Sequence, residues 1–310
     1  MTRARLALVL LCLALTPACK SEPIALGLNL EGAFELKVAL AMSQLVTEER
    51  DGEEFESAQD VILQWSQTVE DVRPDGSAVL ALAYERARLA VSNPSFGTVT
   101  YDSAAPPDVV PLLAIGLHAA VGETVRLVVD ERGEILKVPG IETFADRIYS
   151  KLALPPSMDG SAARNTLRQW FSEDAMREMM RPIFSIYPDG LVQTGDSWQR
   201  EVTVQRPFPH KQINHYELVD VDAGTATIRV TSELEPLGEA RVDYPGGVSA
   251  VFDIEGSLEG RLLLHRLSGL VLLGEMVQEL EGTVTYFIPN ENPVEASLEL
   301  EGSIEYAVDI

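Results

Sequence analysis

From Phe34 to Met42 large apolar residues alternate with small or polar ones. Phe34, Leu36, Val38, Leu40 and Met42 fall on one side of an extended chain, and Glu35, Lys37, Ala39, Ala41 and Ser43 on the other. A repeat of two residues is the signature of a strand with one buried face. Val61, Leu63 and Trp65 repeat the pattern against Ile62, Gln64 and Ser66. The clearest hairpin is GETVRLVVDERGEILKVPG, Gly122 to Gly140. Val125, Leu127 and Val129 alternate before a turn at Glu131–Glu134, and Ile135 and Lys137–Val138 lead the chain back. A Gly-containing turn between two such runs predicts antiparallel pairing. GRLLLHRLSGLVLLGEM, Gly260 to Met276, echoes it around Gly269. Pro74-Asp75-Gly76 predicts another turn. The acidic stretch Glu48 to Glu56 reads as a loop about Gly52, and the Glu-Gly pairs beginning at 255, 259, 281 and 301 read as strand-end turns.

Between the β regions the period lengthens. Ile141, Phe144, Ala145, Ile148 and Leu152 recur at three and four, which predicts an amphipathic helix. A second helix is expected over Ser161–Phe171. A third, capped by Ser172, carries Met176, Met179, Met180 and Ile183 on one face and is expected to end at Pro182 and Pro188. Upstream, Asp108 is the expected cap of a helix over Val109–Ala120, with Pro111 in its first turn.

The two β regions share a grammar. VEDVRPDGSAVLALAYERARL and YELVDVDAGTATIRVTSELEP each read strand, Asp–Gly turn, strand, and a further hairpin follows each, at Gly133 and Gly269. The expectation is an α+β domain over 33–310 with long antiparallel strands in one or two curved sheets. It divides into duplicated β-rich halves at 33–140 and 191–310, and the helices of Asp108–Ala120 and Ile141–Phe184 cover the concave side.

The N-terminus changes the picture from fold to location. Arg3 and Arg5 precede the apolar run Leu6–Leu15, which is too short to span a bilayer, and Thr16-Pro17-Ala18 leads to Cys19. Residues 1–18 therefore read as a secretory signal peptide. LTPACKS resembles a bacterial lipobox, which implies that Cys19 is lipidated and that 19–32 tethers the domain to a membrane. Thr16 departs from the Leu usual at its position. Cleavage after Ala18 to give a soluble periplasmic or secreted protein is the competing reading. Lys20 in place of Asp resembles outer-membrane sorting. Cys12 lies within the signal, so the mature chain can form no internal disulfide. The net charge of −24 disfavours nucleic acid and anionic lipid headgroups as partners.

Little chemistry is visible. The chain has no G-x-G-x-x-G, P-loop, H-E-x-x-H or G-x-S-x-G motif. His210 and His215 lie five apart in FPHKQINHY and meet only if that stretch bends. Asp220-Val221-Asp222-Ala223-Gly224 starts like a calcium loop but lacks its later ligands, so a β-turn is expected. Asp102-Ser103 and Asp196-Ser197 have no His at a recognisable spacing. No metal, cofactor or catalytic residue is assigned, and the expectation is a protein that is not an enzyme.

YDS at Tyr101–Ser103, the Gly122 hairpin, GDSW at Gly195–Trp198, HYELVDVDAGTATI and the Gly260 hairpin are similar, in order, to a family of uncharacterised bacterial secreted proteins and lipoproteins, over about Ala33 to Val284. The resemblance implies an exported β-rich domain and no activity. The architecture is also analogous to periplasmic lipoprotein carriers, whose curved sheets close an apolar cleft. The expected function is a non-catalytic envelope lipoprotein that binds an apolar small molecule between sheet and helices. Trp65, Trp170, Phe171, Met176, Met180 and Phe184 are its candidate lining residues, with core packing as the alternative role for each. A protein–protein scaffold that uses the acidic surface is the second expectation, and an enzyme of unrecognised type the third.

Overall fold

A computed structural model describes residues 22–31, 35–152, 160, 164, 167–168, 171–205, 208–238, 240–244 and 247–309. The expected signal peptide, Cys19, Phe34, Trp170 and most of the helix expected over Ser161–Phe171 lie outside the described residues. The alternation at 34–42 runs much further than expected. It continues through β2 (Glu35–Arg50) to a two-residue turn at Asp51-Gly52, and returns along β3 (Glu53–Val72). The expected acidic loop is therefore mostly strand.

The other strands are β1 (Ile24–Ala25), β4 (Ala78–Asn93), β5 (Gly97–Asp102), β6 (Thr124–Val129), β7 (Ile135–Lys137) and β8 (Leu191–Val192). Beyond them come β9 (Ser197–Val204), β10 (His210–Val221), β11 (Thr225–Pro236), β12 (Arg241–Asp243), β13 (Ser249–His265), β14 (Val271–Phe287) and β15 (Val294–Asp309). Among the described residues three short helices have both ends placed: α1 (Ile115–Ala120), α2 (Ile141–Lys151) and α3 (Glu173–Phe184). The architecture is mostly β, which corrects the expected α+β class.

Thirteen of these strands form one antiparallel sheet, in the order β7-β6-β4-β3-β2-β15-β14-β13-β11-β10-β9, with β5 on β4 and β12 on β13. β1 pairs with β8 in a separate ribbon. The junction of the large sheet is β2 against β15, which joins the start of the chain to its end over thirteen residue pairs. The strand order on the two sides of β15 is the same. Reading β2, β3, β4, β6, β7 on one side as β9, β10, β11, β13, β14 on the other reproduces it.

The Glu-Gly pairs are not turns. Gly256 and Gly260 lie inside β13, Gly282 inside β14 and Gly302 inside β15. On β13 and β14 each glycine faces a large side chain of the partner strand: Gly256 opposite Leu280, Gly260 opposite Met276, Gly274 opposite Leu262 and Gly282 opposite Ile254. A Cβ on Gly256, Gly260 or Gly282 would meet a partner-strand carbonyl oxygen at 2.0–2.2 Å. Glycine here lets adjacent backbones close in as the sheet bends, which is how long strands curl.

α3 draws the curl shut. Its cap forms as expected, with Ser172 Oγ accepting from the Ala175 N–H at 3.1 Å. Pro182 lies inside the helix, which runs on to Phe184. Arg177 donates from Nε to the Ile135 carbonyl and from Nη2 to the Leu136 carbonyl of β7, each at 3.0 Å. On its other side Arg181 reaches the Thr203 carbonyl of β9, and Glu178 accepts from the Gln205 N–H at 2.9 Å. β7 and β9 are the two ends of the strand order, so α3 fastens the edges of the sheet to one another. The helix expected from Asp108 shrinks to a 3-10 turn at Leu112–Ala114 followed by α1. Pro111 is extended and disfavours helix at the residue before it, so Asp108 caps nothing.

Candidate functional site

Consecutive inward rows of the sheet define its interior. One row runs Leu218, Ile228, Leu262, Gly274, Tyr306, Leu40, Leu63, Ala87 across eight strands. All are buried. Four of the six candidate residues belong to this apolar cluster: Trp65, Met176, Met180 and Phe184, each no more than 2% exposed. Phe171 is half-buried at its margin, with its ring edge-on to Phe144 at 5.2 Å. Trp65 lies 6.4 Å from Tyr306, ring to ring, so β3 and β15 meet through aromatic side chains. The structure thus gathers the helix residues Met176, Met180 and Phe184 and the strand residue Trp65 into one interior.

One end of that interior is plugged. Leu28 donates its N–H to the Glu131 carbonyl at 2.8 Å, and Asn29 to the Ser268 carbonyl at 2.9 Å. Tyr187 donates its hydroxyl to the Gly269 carbonyl at 2.8 Å, and a Cβ on Gly133 would lie 1.8 Å from the Phe184 carbonyl oxygen. The turns at Gly133 and Gly269 are therefore held by the same two segments, 27–29 and 184–187. Trp198 of the GDSW motif donates Nε1–H to the Ile186 carbonyl at 2.8 Å and stacks on Tyr216. The motif is a brace for the plug. Its Asp196 accepts the Gln193 N–H in a turn.

Among the described residues, three polar atoms on the inner face of β3 have no partner: Trp65 Nε1 and both amide atoms of Gln67. Gln67 is 1% exposed, between Leu36 of β2 and Leu82 of β4. It escaped the sequence reading, although it continues the Val61, Leu63, Trp65 face by one more step of two. His210 also points inward, with Nδ1 2.7 Å from the Phe208 carbonyl and Nε2 unpartnered among the described residues. Burial holds its imidazole below the ordinary value, against the smaller upward pull of its bond to the Phe208 carbonyl. His215, an odd number of residues away, is exposed on the opposite face, so the two do not meet. No group of three or more His, Cys, Asp or Glu able to hold a metal occurs among the described residues.

The remaining motifs hold turns and strands. Asp102 accepts from Arg86 Nη2 at 2.7 Å, Arg88 Nε at 2.9 Å and the Ala104 N–H at 2.9 Å, while Ser103 Oγ accepts the Ala87 N–H. Tyr101 meets His118 Nδ1 at 2.9 Å, beside a surface cleft of about 300 Å³ that Ser103 and Lys151 also line. The hydrogen bonds from Arg86, and then from the Ala104 backbone, hold the Asp102 carboxyl well below the usual carboxylate range. A depressed pKa contributes stability above the unfolded-state value that is lost as pH falls towards the folded one. Asp102→Asn should therefore lower the melting temperature near neutrality, and its gap to the unaltered protein should close as pH drops below about 4. A gap that stays constant in acid would refute this. Asp222 closes the β10–β11 turn by accepting from the Gly224 and Thr225 N–H groups.

Outside, the negative charge is concentrated. Glu255, Glu281 and Glu299 are successive cross-strand neighbours, as are Glu279 and Glu301, and all but Glu255 border a groove of about 310 Å³. Like charges directly opposite one another oppose pairing, so this face is held by the packing beneath it.

The class this defines is a single antiparallel sheet curled edge to edge around an apolar interior and clasped by a helix. Residues 75–271 match the family of unknown function DUF6263, and the chain belongs to that family. No curated protein matches the chain. Among solved structures it is similar to lipovitellin, in a structure describing lipid–protein interactions in that protein, at 8% identity and a TM-score of 0.42 over 88% of this chain. The chain spans 25% of that lipovitellin's length. It is also similar to a DUF1329 family protein from Desulfovibrio piger ATCC 29098, at 8% identity and a TM-score of 0.13, over 87% of this chain and 83% of that one.

Proposed function

We propose that this is a non-catalytic binding lipoprotein of the bacterial envelope that holds an apolar ligand inside its curled sheet, with α3 as the lid. In this reading residues 1–18 export the chain and Cys19 anchors it, at the outer membrane where the cell has one. The equal strand order on either side of β15 is read as an internal duplication whose two halves share one interior. The observation that carries the proposal is the clasp. Eight strands closed by pairing make a barrel just wide enough for its own side chains, and wider ones enclose ligands. Here eleven successive strands surround the interior, and the seam is a helix rather than a strand pair. Side-chain bonds from Arg177 and Arg181 hold that helix, so the seam opens without breaking a β ladder.

The test is to purify the intact protein and measure dissociation of an apolar fluorescent fatty-chain probe. Arg177→Ala removes the bonds to Ile135 and Leu136 and should cost about 1–3 kcal/mol of lid attachment. The probe should then leave several-fold faster or more while the sheet's circular dichroism is unchanged. Failure of the unaltered protein to bind any apolar probe, or to carry an extractable lipid, would end this reading.

A further inference from the structure

Trp65 and Gln67 are consecutive inward positions of β3, and their neighbours are apolar or aromatic. Trp65 sits between Val38 and Tyr84, and Gln67 between Leu36 and Leu82, all of them buried. None of these neighbours carries a charge. The pairing of β3 with β4 is irregular on both sides of this pair, between Gln64 and Trp65 and again between Val69 and Asp71. Such bulges re-aim side chains. Between them lie three polar atoms with no partner among the described residues: the Trp65 indole N–H, the Gln67 amide N–H₂ and the Gln67 amide oxygen. Buried polar atoms are nearly always paired, and an unpaired one is costly in an apolar interior. An apolar residue in place of Gln67 would avoid that cost.

We infer that Trp65 and Gln67 form the head-group subsite of the apolar ligand, and that the head is an uncharged group carrying both a carbonyl and a hydrogen-bond donor: a protonated carboxylic acid or a primary amide. This rests on the ligand-binding reading above. The donor and acceptor count selects the class. A primary side-chain amide and a carboxylic acid or amide pair head to head, each donating one hydrogen and accepting one. The second lone pair of the ligand carbonyl then accepts from the Trp65 indole. The absence of any cation among these neighbours disfavours a carboxylate, because burial penalises the charged form. An ester has the carbonyl and lacks the donor, so it leaves the Gln67 oxygen unpaired.

Palmitamide, palmitic acid and methyl palmitate should be titrated into the intact protein at about pH 5 and about pH 8, values that straddle the range in which a sequestered fatty acid titrates. Palmitamide should bind at least about tenfold tighter than methyl palmitate at both values. Palmitic acid should match the amide at the lower pH and weaken at the higher, which separates the two heads. Gln67→Leu should abolish the amide's advantage, keep ester binding and melt no lower than the unaltered protein. Equal binding of amide and ester by the unaltered protein overturns the head-group assignment and leaves the apolar-ligand reading standing. An amide preference that survives Gln67→Leu also overturns it. Binding of none of the three overturns both. If Gln67→Leu does not fold, the probe series on the unaltered protein and on Trp65→Phe decides.

Discussion

Gly133→Ala is expected to destabilise the protein by on the order of 4 kcal/mol, or roughly 10 °C in melting temperature. Two causes add. The residue sits at φ +75°, where an L side chain costs about 1–2 kcal/mol. Its new Cβ would also lie 1.8 Å from the Phe184 carbonyl oxygen and 2.6 Å from the carbonyl carbon, neither of which is the end of a flexible side chain. Segment 184–187 would have to move. That segment supplies the carbonyl of Ile186 to Trp198, the carbonyl of Tyr187 to Arg200 and the hydroxyl of Tyr187 to Gly269. Gly52→Ala separates the causes. Gly52 has φ +79° and nothing within 4 Å of its Cβ position, so it should show only the backbone term of about 1–2 kcal/mol. Equal losses at both sites in chemical denaturation would mean that the plug does not hold the Gly133 turn.

That turn was legible in the sequence because its determinants are local. The alternation of Val125, Leu127 and Val129 and a glycine at the turn suffice. The same holds for the Val61–Leu63–Trp65 face and the Ser172 cap. The length of β13 and β14 was not legible. An isolated glycine in a strand reads as punctuation, and Gly256, Gly260 and Gly282 become intelligible only when the partner strand shows Leu280, Met276 and Ile254 opposite them. The joining of β2 to β15 and the bridging of β7 and β9 by α3 depend on contacts between distant parts of the chain, which no local period records. The candidate interior was half-legible. Trp65, Met176, Met180 and Phe184 emerge from periodicity and do come together, but periodicity weighs only apolar residues and passed over Gln67.

The curl itself is open to test at Gly260. A Cβ there would meet the Glu275 carbonyl oxygen at 2.2 Å, Met276 Cγ at 2.7 Å and Met276 Cα at 2.9 Å. Of these only Cγ can swing aside. Gly260→Ala should cost about 3 kcal/mol, at the upper end of overpacking, because β13 and β14 must part or flatten where the sheet bends. The second variant discriminates. If the limit is backbone approach, Gly260→Ala with Met276→Ala is no more stable than the two losses added together, since trimming Met276 leaves the oxygen in place and opens a void beside it. If the double variant recovers most of the Gly260→Ala loss in denaturant titration, the glycine serves only to make room for a side chain. The bend then owes nothing to strand-to-strand approach. Since β13 and β14 lie in the same continuous sheet as β7 and β9, the two edges that α3 joins, flattening at Gly260 should also widen the seam that α3 spans. Gly260→Ala should therefore speed release of an apolar probe even though Gly260 lies on β13, away from the β7 and β9 edges that α3 joins.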